Sequence, residues 1–158
     1  MSVATQTRVI SEGDYKHWAE EFARAAVEAR GFRPAYLVAQ EIGVSRSCYG
    51  NFERGEALCN LPAALRLSEV LGFSLDAVFG LQPQKRYATI YAAYVEARID
   101  NPVELARRAG VHRGTVINAM FGKRPKLIGA VAIALVLGFS LDALDWRLIG
   151  KVQQDAWR

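Results

Sequence analysis

Apolar residues along the chain recur at steps of three and four, the spacing that places side chains on one face of an α-helix. The first clear example begins at Asp14, and its apolar face carries Trp18, Phe22, Ala25, Ala26 and Ala29. Strict alternation of apolar and polar residues, which is typical of strands, is nearly absent, and the helix formers Ala, Leu, Arg and Glu are abundant. The pattern therefore predicts an all-α protein.

Capping residues and glycines divide the chain into predicted helices. In the first half we expect helices over residues 14–30, 34–42, 45–54, 61–71 and 74–79. Asp14, Ser45 and Ser74 are typical first residues of a helix, and Gly43 and Gly72 are typical stops. The second half repeats the order, with helices predicted over residues 83–98, 102–109, 112–121 and 127–137, and a last one from Leu141 toward Arg158.

The two halves of the chain repeat each other in sequence as well as in pattern. The heptapeptide Leu71-Gly-Phe-Ser-Leu-Asp-Ala77 returns without change at residues 137–143, an offset of 66 positions. The tetrapeptide Val27-Glu-Ala-Arg30 returns at residues 95–98, an offset of 68 positions. We interpret the chain as a duplication with a flexible arm over residues 1–13, a first module over 14–80 and a second module over 81–158.

One predicted helix, residues 127–137, is apolar around its full circumference, unlike its counterpart at residues 61–71, which keeps Arg66 and Glu69 for water. The uncharged stretch, residues 127–141, is shorter than the ~20 residues that a membrane-spanning helix needs, so we expect a buried helix and no membrane association. Three partners could bury its additional apolar face: the other module, the closing helix with Trp146, or a second chain in a homodimer formed through this helix or the closing one.

Charge and cysteine content change this picture only slightly. The chain has 20 basic and 16 acidic residues, a net charge of +4, which suits a polyanionic partner. The two cysteines, Cys48 and Cys59, have neither a second pair nor a neighbouring histidine, so we expect no metal site and no disulfide framework. Residues 1–13 lack the features of a signal peptide, and we expect a cytoplasmic protein without a cofactor.

A helix, a Gly-Val-Ser turn and a second helix follow one another over residues 34–54, the arrangement of a helix-turn-helix. The spacing predicts that Val44, Tyr49 and Phe52 point inward. An outward set of side chains is then left to hydrogen-bond with DNA, namely those of Arg46, Ser47, Cys48 and Asn51, with Gly50 beside them.

Residues 41–80 resemble the XRE-type, lambda-repressor-like helix-turn-helix family. The resemblance rests on the turn Gly43-Val-Ser-Arg-Ser47, the helix end Glu53-Arg-Gly55 and the tail Leu71-Gly-Phe-Ser-Leu-Asp-Ala-Val-Phe79. The second module is similar to the same family through residues 104–116 and 138–144. The resemblance implies two tandem modules of about five helices each and a transcription regulator, of the sort found in bacteria and phages, that binds double-stranded DNA.

In the second module we expect Arg113, Thr115 and Asn118 to read bases, because arginine suits guanine, asparagine suits adenine, and threonine offers a methyl group to thymine. Arg46, Ser47 and Asn51 would do the same in the first module. The other expected DNA contacts are Cys48, within the first of these helices, and a set at or beyond the helix ends: Arg33, Ser45, Arg54, His112, Lys123, Arg124 and Lys126. The last three would hold phosphates.

Charge separates the two modules. Residues 107–126 contain six basic residues and no acidic one, whereas residues 33–54 have a net charge of only +1. We therefore expect the second module to bind phosphates more strongly than the first.

Two other classes of function are alternatives to DNA binding. The main alternative is a protein-binding module, antitoxin-like or anti-activator in kind, whose helix-turn-helix units serve as a docking surface for a protein partner. An enzyme is not expected, because His17 and His112 are isolated and no acid, base or nucleophile stands in a catalytic pattern.

Overall fold

The computed structural model describes residues 11–151. Nine α-helices and one 3-10 turn lie in this range, and no strand forms within it. The predicted all-α class is confirmed. The elements are α1 (Glu12–Arg30), α2 (Ala35–Ile42), α3 (Arg46–Glu53), α4 (Leu61–Leu71), α5 (Leu75–Val78), α6 (Ile90–Ala97), α7 (Pro102–Ala109), α8 (Arg113–Phe121), α9 (Leu127–Leu137) and the 3-10 turn (Trp146–Leu148).

Side-chain caps set most of the helix starts, including Ser45 and Ser74, which the sequence predicts. Ser45, Asn60 and Ser74 accept hydrogen bonds from backbone N–H groups at the starts of α3, α4 and α5. In α1 the cap is Ser11 rather than Asp14, and Asp14 completes a capping box by accepting the Ser11 backbone N–H. The predicted bounds of α2 to α5 and of α7 to α9 are confirmed to within one or two residues.

The predicted helix over residues 83–98 is shorter than expected, because α6 begins only after its cap Thr89. The preceding segment pairs its backbone with a distant loop instead. Gln84 N–H donates to the Gly138 carbonyl (3.0 Å), and the Lys85 carbonyl accepts from Ser140 N–H (2.9 Å). Since these groups are already bonded elsewhere, they are not available to a longer α6.

The predicted helix from Leu141 toward Arg158 is wrong as far as the structure describes this segment. An α-helix there would bond Asp145 N–H to the Leu141 carbonyl, but Asp145 N–H donates to the Ala88 carbonyl instead (2.9 Å). The chain turns and forms only the 3-10 turn, so residues 81–151 contain four α-helices rather than five. Residues 152–158 lie outside the described range.

The core is continuous and takes side chains from both halves of the chain. Leu61, Leu67 and Leu75 from the first half are fully buried, as are Leu105 and Ile133 from the second. Seven of the eleven residues of α9 are buried, and α9 packs on α4, α6, α7 and α8. The chain itself therefore covers most of this apolar helix, and Leu135 stays exposed. Every helix within residues 11–151 is too short or too polar to cross a lipid bilayer.

At the contact between the two halves, the same segments of the two repeats bond to each other. Asn60 and Lys126, which are 66 positions apart, form an isolated antiparallel bridge. At the repeated Ser-Leu-Asp tripeptides, Ser74 Oγ and Leu75 N–H donate to the Asp142 carboxylate at 2.5 and 2.8 Å. Ser140 Oγ and Leu141 N–H donate to the Asp76 carboxylate at the same two distances. We call these two sets of bonds the reciprocal caps.

A second contact ties the closing segment to α4. The guanidinium groups of Arg66 and Arg147 both lie over the indole ring of Trp146, each within 4.7 Å of the ring centroid. The indole N–H donates to Glu69 at 3.1 Å, and Arg147 forms an ion pair with Glu69. This contact fixes the second half of the chain against a helix of the first half.

Candidate nucleic-acid interface

Two helix-turn-helix connections have the same backbone geometry. Between α2 and α3, Gly43 adopts a left-handed conformation (φ 75°) and Val44 N–H donates to the Ala39 carbonyl at 3.0 Å. Between α7 and α8, Gly110 has a φ of 69° and Val111 N–H donates to the Ala106 carbonyl at 3.1 Å. Each turn closes with a left-handed glycine cap, as the sequence pattern predicts.

Ser45 and His112 occupy equivalent places at the starts of α3 and α8. Ser45 Oγ accepts Cys48 N–H at 3.0 Å, and His112 Nδ1 accepts Gly114 N–H at 2.9 Å. Both residues therefore cap their helices.

The inward and outward faces of α3 and α8 are largely those expected from the spacing. Tyr49, Phe52 and Val116 are buried, and Val44 packs against the core. The side chains of four predicted site residues are exposed on the opposite face or at the helix start: Arg46, Ser47, Arg113 and Asn118.

Cys48 and Thr115, which occupy the same position in the two repeats, are half-buried rather than outward. A Cβ placed on Gly129 of α9 would lie only 2.6 Å from the Thr115 Cγ2 atom, so the Thr115 methyl packs against α9. This placement is not compatible with the expected contact between that methyl and a thymine. Sequence spacing alone does not reveal it, because the cause is the absence of a side chain at Gly129.

The second half of the chain presents a group of exposed cations, which we call the α8 basic surface: Arg113, Lys123, Arg124 and Lys126. None of the four forms an ion pair with a residue in the range 11–151. Their charges are therefore available to an anion. Arg113 stands in the first turn of α8, where the helix dipole adds partial positive charge.

The sequence does not predict that the closing segment returns to this surface. A Cβ placed on Gly150 would lie 3.0 Å from the Lys123 Cα atom, and Gly150 has a φ of 80°. This close approach brings the exposed Lys151 next to Lys123. Lys151 lies outside the helix-turn-helix motif, so no pattern in the sequence points to it.

The charge balance of the second half is less positive than a count over residues 107–126 indicates. Glu104, just outside that range, forms ion pairs with Arg107 (2.6 Å) and Arg108 (3.1 Å). Hydrogen bonds from the two arginines lower the pKa of Glu104 to about 2. Two of the six cations are thus already paired on α7, and the α8 basic surface holds the other four.

In the first half, several predicted contacts are engaged within the chain. Arg54 donates to Asn51 Oδ1 at 2.5 Å and pairs with Glu56 at 3.1 Å. Arg33 donates to the Val70 carbonyl at 3.0 Å, and Arg46 stacks 5.1 Å above the centre of the Tyr36 ring. An anion would have to compete with these partners.

A half-buried ion pair fixes the end of α3 to α1. Arg30 Nε and a second guanidinium nitrogen donate to the Glu53 carboxylate at 2.6 and 2.9 Å, a bidentate arrangement. The hydrogen bond that Arg30 donates to Glu53 raises the pKa of Arg30, and burial raises the pKa of the Tyr49 hydroxyl. The pair holds α3 in place but contributes no net charge to its surface.

The side chain of Asn118 lies over the end of α8. Gly122 N–H donates to the Asn118 carbonyl at 2.8 Å, and a Cβ at Gly122 would collide with both that carbonyl and the side-chain oxygen of Asn118. Gly122 therefore permits the exposed amide of Asn118 to occupy this position.

Comparisons with models of protein families, with curated proteins and with solved structures found no match for this chain.

Proposed function

We propose that this protein is a transcription regulator that binds specific sequences of double-stranded DNA through the major groove. The observation that carries the proposal is the α8 basic surface, four exposed cations without an ion-pair partner in residues 11–151, beside a helix-turn-helix connection. The second helix of such a unit reads base edges with its first turns, and cations just beyond it hold phosphates.

In this proposal some exposed side chains contact bases and others contact phosphates. Arg113 and Asn118 on α8 read bases, and Arg46 and Ser47 on α3 do so in the first half. Lys123, Arg124, Lys126 and Lys151 neutralise phosphates and fix the orientation of the protein without reading sequence. The first half binds less strongly because Asn51 and Arg54 are occupied by each other.

The experiment is a selection of bound duplexes from a random library, followed by fluorescence anisotropy on the selected and on a scrambled duplex at several salt concentrations. We expect Arg113→Ala to reduce the preference for the selected duplex by about 5- to 150-fold, the range for a lost bidentate base contact. Lys123→Ala should weaken binding to both duplexes alike and lower the slope against salt by about 1.

The matched control is Arg24→Ala, which removes the same charge from an exposed position on α1. It should leave sequence preference unchanged. If the selection enriches no sequence, or if Arg24→Ala and Arg113→Ala have equal effects, sequence-specific binding by α8 is refuted.

A docking surface for a protein partner is the second candidate function, and one observation favours it. Phe32 is fully exposed, and Tyr36 and Leu37 on α2 are also exposed, which gives the first helix-turn-helix an apolar edge. With this function, Phe32→Asp would abolish the effect of the protein on transcript levels in its host cells, whereas Arg113→Ala would leave that effect intact. The opposite result would favour DNA binding.

A further inference from the structure

The contacts between the two halves are reciprocal. The tripeptide Ser74-Leu-Asp76 donates hydrogen bonds to Asp142 and accepts them from Ser140 and Leu141. Each repeat therefore donates the same bonds to the other that it accepts from it. In addition, Asn60 pairs with Lys126, its own equivalent 66 positions later, in antiparallel orientation. An interface in which residue i contacts j and the equivalent of j contacts the equivalent of i is the mark of a two-fold axis.

The two reading helices, α3 and α8, are each joined to the contact between the halves by a short segment, which limits the distance between them. Asn51 lies two residues before the end of α3, and seven more residues lead to Asn60. Asn118 lies three residues before the end of α8, and five more lead to Lys126. Even fully extended, these segments and the pair that joins them span at most about 55 Å. Successive turns of a DNA groove are about 34 Å apart, so two turns, about 68 Å, are out of reach.

The two reading helices are alike at some outward positions and different at others. Arg46 and Arg113 are equivalent, as are Asn51 and Asn118, but Ser47 corresponds to Gly114. Within residues 11–151, Asn51 is held by Arg54, whereas no such bond restrains the side chain of Asn118, and no group of cations beside α3 matches the α8 basic surface. The half-sites they read must therefore be related but not identical.

From these observations we infer that one copy of the chain binds, as a monomer, an inverted pair of two non-identical half-sites whose centres are one helical turn apart. The inference rests on the proposed function and gives it a class of DNA target. A single chain thus supplies the two-fold arrangement that helix-turn-helix proteins otherwise obtain by dimerisation.

The main test uses the whole native chain and changes only the DNA, so that it does not depend on the folding of a variant. The duplexes are the site selected from a random library, the same site with five or ten base pairs inserted at its centre, and the site with one half reversed into a direct repeat. Native mass spectrometry counts the chains on each duplex, and anisotropy gives the affinity.

We expect one chain per duplex, and at least about a tenfold loss of affinity for all three altered duplexes. The insertion of five base pairs turns one half-site to the opposite face, and the insertion of ten restores the face but exceeds the reach of about 55 Å. In the original site, Arg46→Ala should relax the base preference in one half only, and Arg113→Ala in the other half only.

Two chains per duplex, full affinity for the direct repeat, or recovery with ten inserted base pairs would overturn the inference while leaving sequence-specific binding intact. A selected site with only one half-site would also overturn it. A library that yields no preferred sequence would refute the proposed function, and the inference with it.

Discussion

Arg98 ends α6 in the left-handed region of backbone space, with a φ of 55°, and no other non-glycine residue between 11 and 151 has a positive φ. The equivalent helix α1 ends at Gly31. For a residue with a Cβ, this conformation costs about 1–2 kcal/mol, which glycine avoids. Arg98 therefore marks a site of local strain that the second repeat carries and the first does not.

Replacement of this residue should relieve the strain. We expect Arg98→Gly to raise the free energy of unfolding by up to about 1 kcal/mol, measured by urea denaturation, because glycine loses more chain entropy on folding and offsets part of the gain. Arg98→Ala is the control, since it removes the charge and keeps the Cβ. An equal gain from alanine would show that the charge, and not the backbone, is the cause.

At the scale of elements, the packing of α8 on α9 depends on one missing side chain. In an exposed helix, Gly→Ala stabilises by about 1 kcal/mol, but at Gly129 a Cβ would meet the Thr115 methyl at 2.6 Å. We expect Gly129→Ala to destabilise by about 1–3 kcal/mol through overpacking. Thr115→Ser, which deletes the methyl, should restore part of that loss in a double-mutant cycle. Additive effects of the two substitutions would contradict a direct contact.

The ion pairs of α7 predict a dependence on pH. The pKa of Glu104 is lowered to about 2, below its usual value of about 4.3, so the folded chain binds fewer protons than the unfolded chain between these values. The stability contributed by Glu104 is therefore present above pH 4.3 and is lost as the pH falls toward 2. We expect the difference in unfolding free energy between the native protein and Glu104→Gln to shrink between pH 5 and pH 2.5. A constant difference would contradict the pairing.

The sequence predicts those elements whose ends are set locally. Ser45, Asn60 and Ser74 cap helices through N–H groups three residues away, so α3, α4 and α5 can be read from nearby residues alone. The segment before α6 and the closing segment are held instead by backbone bonds to residues such as Gly138 and Ala88, which lie far away in sequence. No local pattern contains that information.

The same distinction holds for the candidate site. The turns and the exposure of Arg46, Arg113 and Lys123 follow from spacing and composition. The inward position of Thr115 depends on its packing against α9, and the place of Lys151 depends on a tertiary return of the chain. Such features require the folded structure.

At the scale of the whole molecule, the reciprocal caps should couple the two halves. Asp142 accepts from Ser74 and Leu75, and Asp76 accepts from Ser140 and Leu141, with the pKa of Asp76 raised mainly by burial. We expect Asp76→Ala and Asp142→Ala each to lower the free energy of unfolding by about 1.5–3 kcal/mol, the range for hydrogen bonds to a charged group.

Asp100→Ala is the matched control, an exposed aspartate outside the reciprocal caps, with an expected change within about 0.5 kcal/mol. Because Asp76 N–H also donates to Asp142 at 3.3 Å, the double variant should lose less than the sum of the two single effects. Equal stability of Asp100→Ala and Asp142→Ala would show that the caps do not stabilise the junction.

A hydrogen bond from Leu61 N–H to the Pro125 carbonyl joins the two halves. Because both halves belong to one covalent chain, dilution cannot separate the halves. A regulator assembled from two identical subunits loses its target when scarcity drives the subunits apart, so its response to dosage is steep. With the proposed function, α3 and α8 would instead stay together at a fixed effective concentration, whatever the number of molecules per cell. Occupancy of a target would then rise in proportion to protein copy number at low levels, without a threshold for assembly.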